Sequence, residues 1–333
     1  MTLYPTNPSP AFNITRTSHV VLTSKDLDAT RHFYEVGIGL EVTHQDEETL
    51  YLRALEETSH HSLVFVKSDG PARCLRMGYR MFTDDDIRRA HDHFNTAGFA
   101  AEYVERPFQG LTLHVHDSNG VPNEFCATMD QSPSLMQVFY KHHAAQPAFL
   151  DHVQIACHDV NAAMKWYCDL GFRLTEYTAN DNSEDLWGIW LKRKDNTQDV
   201  VFGAGPGPRL HHFAYHVPEI ANIVHVSDIM SSLGMADTMD RGPGRHGIGN
   251  AMFVYFRDPD GHRIEMFTSH YQFIDSNQAP KRWDLTDTRR SQLWGFPATK
   301  RWFTEATEFA GTPVQQPLLQ ASPVTLEAFL ERT

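Results

Sequence analysis

Hydrophobic and polar positions follow one plan in four stretches of the chain. Each stretch opens with an alternating or apolar run, which predicts a β-strand. A polar turn able to cap a helix follows, and then apolar residues at helical spacing that end at a glycine. The stretches begin at Ser18, Arg76, Asp151 and His211. Their turns are Lys25-Asp26, Asp84-Asp85, His158-Asp159 and Pro218-Glu219, and their glycines are Gly39, Gly98, Gly171 and Gly234.

More strand patterns follow each helix, so the repeated unit is β-α-β-β-β. One such unit buries little apolar surface alone, whereas paired units can curl their sheets around a shared interior. We therefore predict an α+β fold in which four βαβββ modules pair into two domains, each a curled mixed sheet around a central cavity. The predicted domains are 1–147 and 148–310, followed by a Pro/Gln-rich surface tail at 311–333.

Composition narrows the class of protein. The 333 residues are 41% hydrophobic and 21% charged, which is typical of a globular protein. The net charge of −13 argues against nucleic-acid binding. No apolar run is long enough to span a bilayer, and the Pro-rich N-terminus lacks a signal-peptide pattern, so we expect a cytoplasmic protein. The four cysteines form no CxxC pair and are expected to be free thiols, whereas the 20 histidines make a metal site worth seeking.

Matched positions in the third and fourth units supply candidate metal ligands. His152 lies in the first strand of the third unit, and His212 occupies the equivalent place in the fourth. Glu265, in DPDGHRIEMF, lies on the last strand of the fourth unit. Two histidines and one carboxylate are a facial ligand set that suits Fe(II) or Mn(II) and leaves coordination positions open.

The first half provides an internal control. Its matched positions are His19, Arg76 and Glu124. Since an arginine stays protonated, it is a poor ligand, and the first half is expected to be a metal-free copy. His211 should point away from His212, because side chains alternate along a strand, and we expect a structural role for it.

Five stretches resemble one enzyme family. They are LDHVQI, DLGFR, GPGPRLHHFAYH, RGPGRHGIGNAMFVYFRDPDGHRIE and LWGFPATKRWFTEA. Over most of residues 15–310 the chain resembles the type I extradiol dioxygenases of the vicinal oxygen chelate superfamily, and most of all the homoprotocatechuate (3,4-dihydroxyphenylacetate) 2,3-dioxygenase branch. The resemblance implies the vicinal oxygen chelate fold and a homo-oligomer, expected to be a tetramer. It also implies meta-cleavage of a catechol by O₂ in aromatic catabolism, with Fe(II) expected first and Mn(II) as the alternative.

The resemblance also assigns residues around the metal. Tyr255 matches a tyrosine that hydrogen-bonds the substrate oxygen, although an ordinary strand aromatic is the alternative. Arg241, His246 and Arg290 match residues that line the substrate pocket, although RGPGRHG could equally be a solvated basic loop. Trp190 matches a pocket tryptophan, with core packing as its alternative. Arginines there would explain a substrate with an anionic side chain.

Two positions depart from the family pattern. Gln198 stands where the family has an acid–base histidine, and Gln154 stands where close relatives have asparagine. An amide donates hydrogen bonds but cannot exchange a proton at neutral pH. Three explanations remain open: a local alignment slip, proton transfer by His246, Tyr255 or water, or a different substrate and outcome. His61 occupies the matching place in the first unit, where we expect a surface histidine.

Two other functions remain open from the sequence. One is a metal-dependent isomerase, lyase or hydrolase on the same scaffold, which Gln198 favours. The other is a non-catalytic protein that binds small molecules, since this fold also sequesters ligands. Oxygen uptake would separate the first alternative from a dioxygenase, and a metal requirement would argue against the second.

Overall fold

The computed structural model of the chain describes residues 3–180, 185–320 and 325–331. The first half has the strands β1 (Ile14–Ser24), β2 (Glu41–Gln45), β3 (Thr49–Arg53), β4 (Leu63–Lys67), β5 (Arg73–Met81), β6 (Glu102–Val104), β7 (Thr112–His116) and β8 (Pro122–Cys126). The second half has β9 (Phe149–Cys157), β10 (Arg173–Ala179), β11 (Leu186–Lys192), β12 (Val200–Ala204), β13 (Arg209–His216), β14 (Met239–Arg245), β15 (Met252–Arg257) and β16 (Arg263–Thr268). Two further strands are β17 (Lys281–Asp284) and β18 (Thr307–Phe309).

Helices connect the first and second strands of each module. The α-helices are α1 (Leu27–Arg31), α2 (Asp84–Thr96), α3 (Val160–Asp169), α4 (Ile220–Ser232), α5 (Lys300–Thr304) and α6 (Leu326–Leu330). A π-helix (His32–Ile38) continues α1. Short 3₁₀ turns are Phe139–Lys141, Ala236–Thr238, Ile248–Asn250 and Thr288–Arg290. None of the helices in the described part of the chain is long and apolar enough to cross a membrane.

The strand pairings repeat from one half to the other. In the first half the order is β2-β3-β4-β1-β5-β8-β7-β6, with β1 and β5 antiparallel at the centre. In the second half it is β10-β11-β12-β9-β13-β16-β15-β14, with β9 and β13 antiparallel at the centre. The predicted α+β architecture of four βαβββ modules is therefore confirmed. The proposed domain boundaries stay a prediction.

Helix ends follow the predicted turns closely. Asp26 and Asp159 cap α1 and α3 by accepting backbone N–H bonds. In the second module the cap is Thr83, one residue before the predicted turn, in a capping box with Asp86. Glu219 begins α4. The glycines that end the helical segments all have the expected positive φ, at Gly39 (98°), Gly98 (86°), Gly171 (82°) and Gly234 (75°).

The C-terminal part of the chain pairs with both halves of the molecule. Strand β18 pairs with both β13 and β5, so it joins the two halves. The backbone of Gln315 exchanges hydrogen bonds with Gly207 at 2.7 and 2.9 Å. Gln315 and its neighbours are nonetheless exposed, so the segment lies on the surface, and its assignment as a separate tail stays a prediction. Residues 321–324 and 332–333 of the predicted tail lie outside the described residues.

Candidate metal centre and substrate cavity

Strand register brings the three predicted ligands together. His152 on β9 pairs with Ala214 on β13, and Ala214 pairs with Glu265 on β16. His212 lies two residues before Ala214, so its side chain is on the same face of the sheet. Three neighbouring strands thus direct these side chains to one point inside the second half.

The geometry at that point fits a divalent metal. The Nε2 atoms of His152 and His212 each lie 3.2 Å from Oε2 of Glu265. The ligand atoms all lie within 4.8 Å of one another, and each residue is only 2% exposed. Among the described residues this is the one such group of three or more histidine, cysteine or acidic side chains. Two imidazoles and a carboxylate, without a thiolate, are donors that suit Fe(II) or Mn(II).

The two imidazoles differ in their partners. Burial lowers the pKa of His152, but hydrogen bonds with Asp151 and Glu265 outweigh it and raise the pKa to about 9. Burial dominates at His212 and lowers its pKa to about 4, against the attraction of Glu265. Although burial opposes ionisation of Glu265, hydrogen bonds with the histidines hold the pKa of its carboxyl well below the usual range. The carboxylate is therefore ionised, as metal ligation requires.

A cavity of about 680 Å³ opens onto these ligands. The structure places all ten predicted site residues in its wall: His152, Gln154, Trp190, Gln198, His212, Arg241, His246, Tyr255, Glu265 and Arg290. Their individual roles stay predictions.

Tyr255 and His246 form a hydrogen-bonded pair beside the carboxylate. Tyr255 on β15 pairs directly with Glu265 on β16. The His246 Nδ1 lies 2.6 Å from the carbonyl oxygen of Ser291, so Nδ1 is the protonated nitrogen and donates to that carbonyl. The His246 Nε2 is then the acceptor for the Tyr255 hydroxyl, at 3.0 Å. The ring also stacks on Phe253, with 3.8 Å between centroids, which fixes its plane.

Two arginines give the cavity a positive wall. Arg241 donates to the carbonyl of Ser291 at 2.9 Å and is 8% exposed. Arg290 is 7% exposed, and its guanidinium lies 5.0 Å from the centroid of the Trp187 ring. Burial and the charge of Arg241 lower the pKa of Arg290 to about 10. Its neighbour Arg289 is exposed and pairs with Asp287 outside the cavity.

The two glutamines lie on the His152 side of the cavity. The Thr197 hydroxyl donates to Oε1 of Gln198 at 2.8 Å, which orients the amide so that its Nε2 lies 3.4 Å from Nε2 of His152. Gln154 follows two residues after His152 on β9 and pairs with His212 across the ladder. Trp190 is half-buried and also lines the cavity; it pairs with Val201, which pairs with Gln154.

Two expectations about histidines were wrong. His211 does not point away from His212: their Nδ1 atoms lie 2.8 Å apart, and His211 lines the cavity. The cause is a break in strand pairing between Leu210 and His212, which cancels the alternation of side chains. His61 is buried rather than on the surface, and its ring lies 5.4 Å from that of His19.

Some functional positions could not be found by sequence reasoning. Trp302 packs on Tyr255 with 4.4 Å between ring centroids, and on His211 with 4.7 Å. Trp187 lies under Arg290. Trp302 belongs to LWGFPATKRWFTEA, so the resemblance did mark its segment, whereas it singled out Trp190 and gave no signal for Trp187.

Known proteins share this fold and align with most of this chain. Residues 16–125 and 149–266 match the Glyoxalase/Bleomycin resistance protein/Dioxygenase superfamily. A substrate complex of homoprotocatechuate 2,3-dioxygenase from Brevibacterium fuscum has a TM-score of 0.88 and 34% identity, covering 94% of this chain and 99% of that one. The homoprotocatechuate 2,3-dioxygenase of Arthrobacter globiformis has a TM-score of 0.89 and 33% identity with the same coverage. A manganese-dependent 2,3-dihydroxybiphenyl 1,2-dioxygenase of Geobacillus genomosp. 3 is 26% identical over 86% of this chain and 95% of its own length.

These matches cover both halves and all four modules. The chain therefore belongs to the Glyoxalase/Bleomycin resistance protein/Dioxygenase superfamily, among relatives that are extradiol dioxygenases. The predicted resemblance and the vicinal oxygen chelate fold are confirmed.

Proposed function

We propose that the protein is an extradiol ring-cleaving dioxygenase, which inserts both atoms of O₂ into a catechol beside its two hydroxyl groups. The observation that carries the proposal is the convergence of His152, His212 and Glu265 on a cavity whose wall also holds two buried arginines. The relatives named as homoprotocatechuate and dihydroxybiphenyl dioxygenases support the same chemistry.

The metal held by these three residues is Fe(II) or Mn(II). Fe(II) is expected first, because two histidines and one carboxylate are typical of non-haem iron oxygenases. Mn(II) is the alternative, and one relative is named as manganese-dependent. His152, His212 and Glu265 would hold this metal, and it would supply Lewis-acid chemistry to the site.

Tyr255 and His246 are proposed to handle protons. His246 Nε2 lies 3.7 Å from Oε1 of Glu265 and accepts the Tyr255 hydroxyl. Because Tyr255 donates its only hydroxyl proton to His246, a catechol hydroxyl beside Glu265 would donate to the Tyr255 oxygen, and a proton would pass through Tyr255 to the base His246. The carbonyl of Ser291 holds the opposite nitrogen of His246, so the base keeps one orientation.

Gln198 is proposed to orient a bound oxygen without exchanging protons. Because Thr197 occupies its Oε1, the amide presents its N–H donors beside His152. An amide hydrogen bond can hold an oxygen atom in place, but an amide cannot act as acid or base at neutral pH. Proton transfer therefore depends on His246 and Tyr255.

The substrate is proposed to be a catechol with an anionic side chain, such as 3,4-dihydroxyphenylacetate. Arg241 and Arg290 lie in the same wall with their charges close enough to lower the pKa of Arg290. A carboxylate would offset that repulsion and accept paired hydrogen bonds from a guanidinium. The tryptophan rings Trp187 and Trp190 provide flat apolar surface for the aromatic ring.

Oxygen uptake over a panel of catechols tests the activity directly. The protein loaded with Fe(II) or Mn(II) is expected to consume O₂ and form a yellow ring-fission product. Metal binding without O₂ uptake for any catechol would contradict the proposal. It would instead favour the metal-dependent isomerase, lyase or hydrolase that Gln198 leaves open. Ligand binding with no metal requirement would favour a non-catalytic binding protein.

Removing Arg290 tests the carboxylate site separately. Arg290→Ala is expected to lower kcat/KM for carboxylate-bearing catechols by roughly 10- to 100-fold, the value of a charge-assisted hydrogen bond, while unsubstituted catechol changes little. The matched control is Arg289→Ala, because Arg289 is exposed and pairs with Asp287. Equal losses for both substrate types would contradict the carboxylate site.

We further propose that the enzyme is a cytoplasmic homo-tetramer. The family resemblance supports this assembly, and light scattering on the eluted protein tests it. A mass of one chain, 38.0 kDa, would contradict it.

A further inference from the structure

Two β-bulges interrupt the ladder between β9 and β13. On β9, Asp151 is an extra residue between Leu150 and His152, which oppose the consecutive residues Tyr215 and Ala214. On β13, His211 is an extra residue between Leu210 and His212, which oppose the consecutive residues Ile155 and Gln154. Each bulge therefore lies immediately before one of the two histidine ligands. A bulge turns a side chain away from its alternating direction.

The first bulge fixes the orientation of His152. Asp151 is fully buried, and its Oδ2 lies 2.9 Å from Nδ1 of His152. Its Oδ1 accepts a hydrogen bond from Asn196 at 2.6 Å. With the carboxylate held from both sides, His152 donates from Nδ1 and directs Nε2 toward Glu265.

The second bulge fixes the orientation of His212, through the imidazole of His211 instead of a carboxylate. Nε2 of His211 lies 2.9 Å from the carbonyl oxygen of Trp302, so it is the protonated nitrogen that donates. Nδ1 of the neutral His211 ring is then an acceptor, and it lies 2.8 Å from Nδ1 of His212. His212 must donate from Nδ1, which leaves the lone pair on Nε2 facing Glu265.

The same two bulges exist in the first half. Ser18 is the extra residue before His19, and Leu75 is the extra residue before Arg76. Ser18 Oγ lies 3.1 Å from Nδ1 of His19, whereas the side chain of Leu75 has no polar atom that could hold a neighbouring ring. The bulges are therefore a property of the fold, and the residues in them differ between the half that has three ligands and the half that does not.

We propose that Asp151 and His211 are positioning residues of the metal centre, each placed by a bulge to hold Nδ1 of the following histidine so that Nε2 binds the metal. This inference rests on the proposed metal site. Groups that orient ligand histidines typically contribute 10–100-fold to metal affinity.

Metal affinity, rather than turnover, tests the proposal. Metal-free wild type and variants are titrated with Mn(II) and with Co(II) in a calorimeter, and their thermal unfolding is recorded. His211→Phe fills the volume but removes the acceptor, and should weaken metal binding roughly 10- to 100-fold. His211→Gln can accept from His212 and donate to the Trp302 carbonyl, and should recover most of the affinity. For His152, Asp151→Ala removes the acceptor and should weaken metal binding in the same way. Asp151→Asn keeps an acceptor oxygen and should recover most of the affinity.

The matched controls are Ser18→Ala and Leu75→Ala, which alter the equivalent bulges of the first half and should leave metal affinity unchanged. Wild-type affinity in His211→Phe and Asp151→Ala would overturn the proposal. So would failure of His211→Gln to bind better than His211→Phe when both unfold at the same temperature. Oxygen uptake is measured separately: a wild type that binds metal but consumes no O₂ refutes the dioxygenase while leaving the positioning roles intact.

Discussion

The two halves of the molecule share one frame but satisfy its central carboxylate in opposite ways. In the second half, Glu265 lies within ion-pair distance of three imidazoles, those of His152, His212 and His246, and of no guanidinium among the described residues. In the first half, Glu124 forms ion pairs with Nε of Arg76 at 2.9 Å and with Nε of Arg106 at 2.6 Å. Fixed cations of the chain thus occupy the place that a metal would take.

The two halves also differ under the first histidine. The ring of His19 lies so close to Gly78 that a Cβ there would come within 2.1 Å of it. The equivalent residue in the second half is Ala214, whose methyl group excludes a ring from that position. A glycine lets His19 lie against β5, while an alanine keeps His152 over the metal site. One methyl group and two arginines, Arg76 and Arg106, therefore distinguish the structural ion cluster from the metal centre.

Glu265→Gln should have the largest effect, because it removes the one anionic ligand. Changes in residues that only orient ligands cost up to roughly 100-fold in metal affinity, and the loss of a ligand is expected to cost more. Ring cleavage should then fall to the background level. Metal analysis after dialysis measures this. The matched control is Glu124→Gln, which should retain one metal per chain, and loss of metal there would break the contrast between the halves.

Glu124→Gln should instead reduce stability. The substitution leaves Arg76 and Arg106 without their anion, and breaking a buried pair from one side costs about 3–5 kcal/mol. The free energy of unfolding from urea titration checks this value. A change below about 1 kcal/mol would mean that the ion cluster does not stabilise the first half.

Gly78→Ala tests the role of the missing methyl group. A Cβ at this position would displace the His19 ring, and such overpacking costs about 1–3 kcal/mol. Metal content and turnover should stay at the wild-type level, since the change lies in the first half. An unaltered free energy of unfolding would show that the His19 ring moves freely.

His61→Gln should have the smallest effect. Strand register makes His61 the counterpart of Gln198, because Leu63 pairs with Val20 and Val200 pairs with Val153. The substitution removes one hydrogen bond, between His61 and His60, and should cost about 1 kcal/mol. Turnover should not change, and a loss of activity would mean that the first half contributes to catalysis.

The repeated pattern predicted more of the fold than of the site's surroundings. Four strand-helix patterns with terminal glycines were enough to predict the modules, and matched positions brought His152, His212 and Glu265 to one cavity. The direction of His211 could not be predicted, because a bulge depends on how two distant strands pair. Arg106 was missed for a similar reason, since it reaches Glu124 from a loop before β7. The pairing of Gln315 with Gly207 could not be predicted either, because backbone hydrogen bonds leave no hydrophobic pattern.

The location of the metal tests the central claim most directly. Crystals grown with Mn(II) can be measured near the manganese absorption edge for an anomalous difference map. We expect one strong peak per chain, bounded by Nε2 of His152, Nε2 of His212 and the carboxylate of Glu265, and none between His19 and Glu124. A peak in the first half, or none between the three ligands, would contradict it.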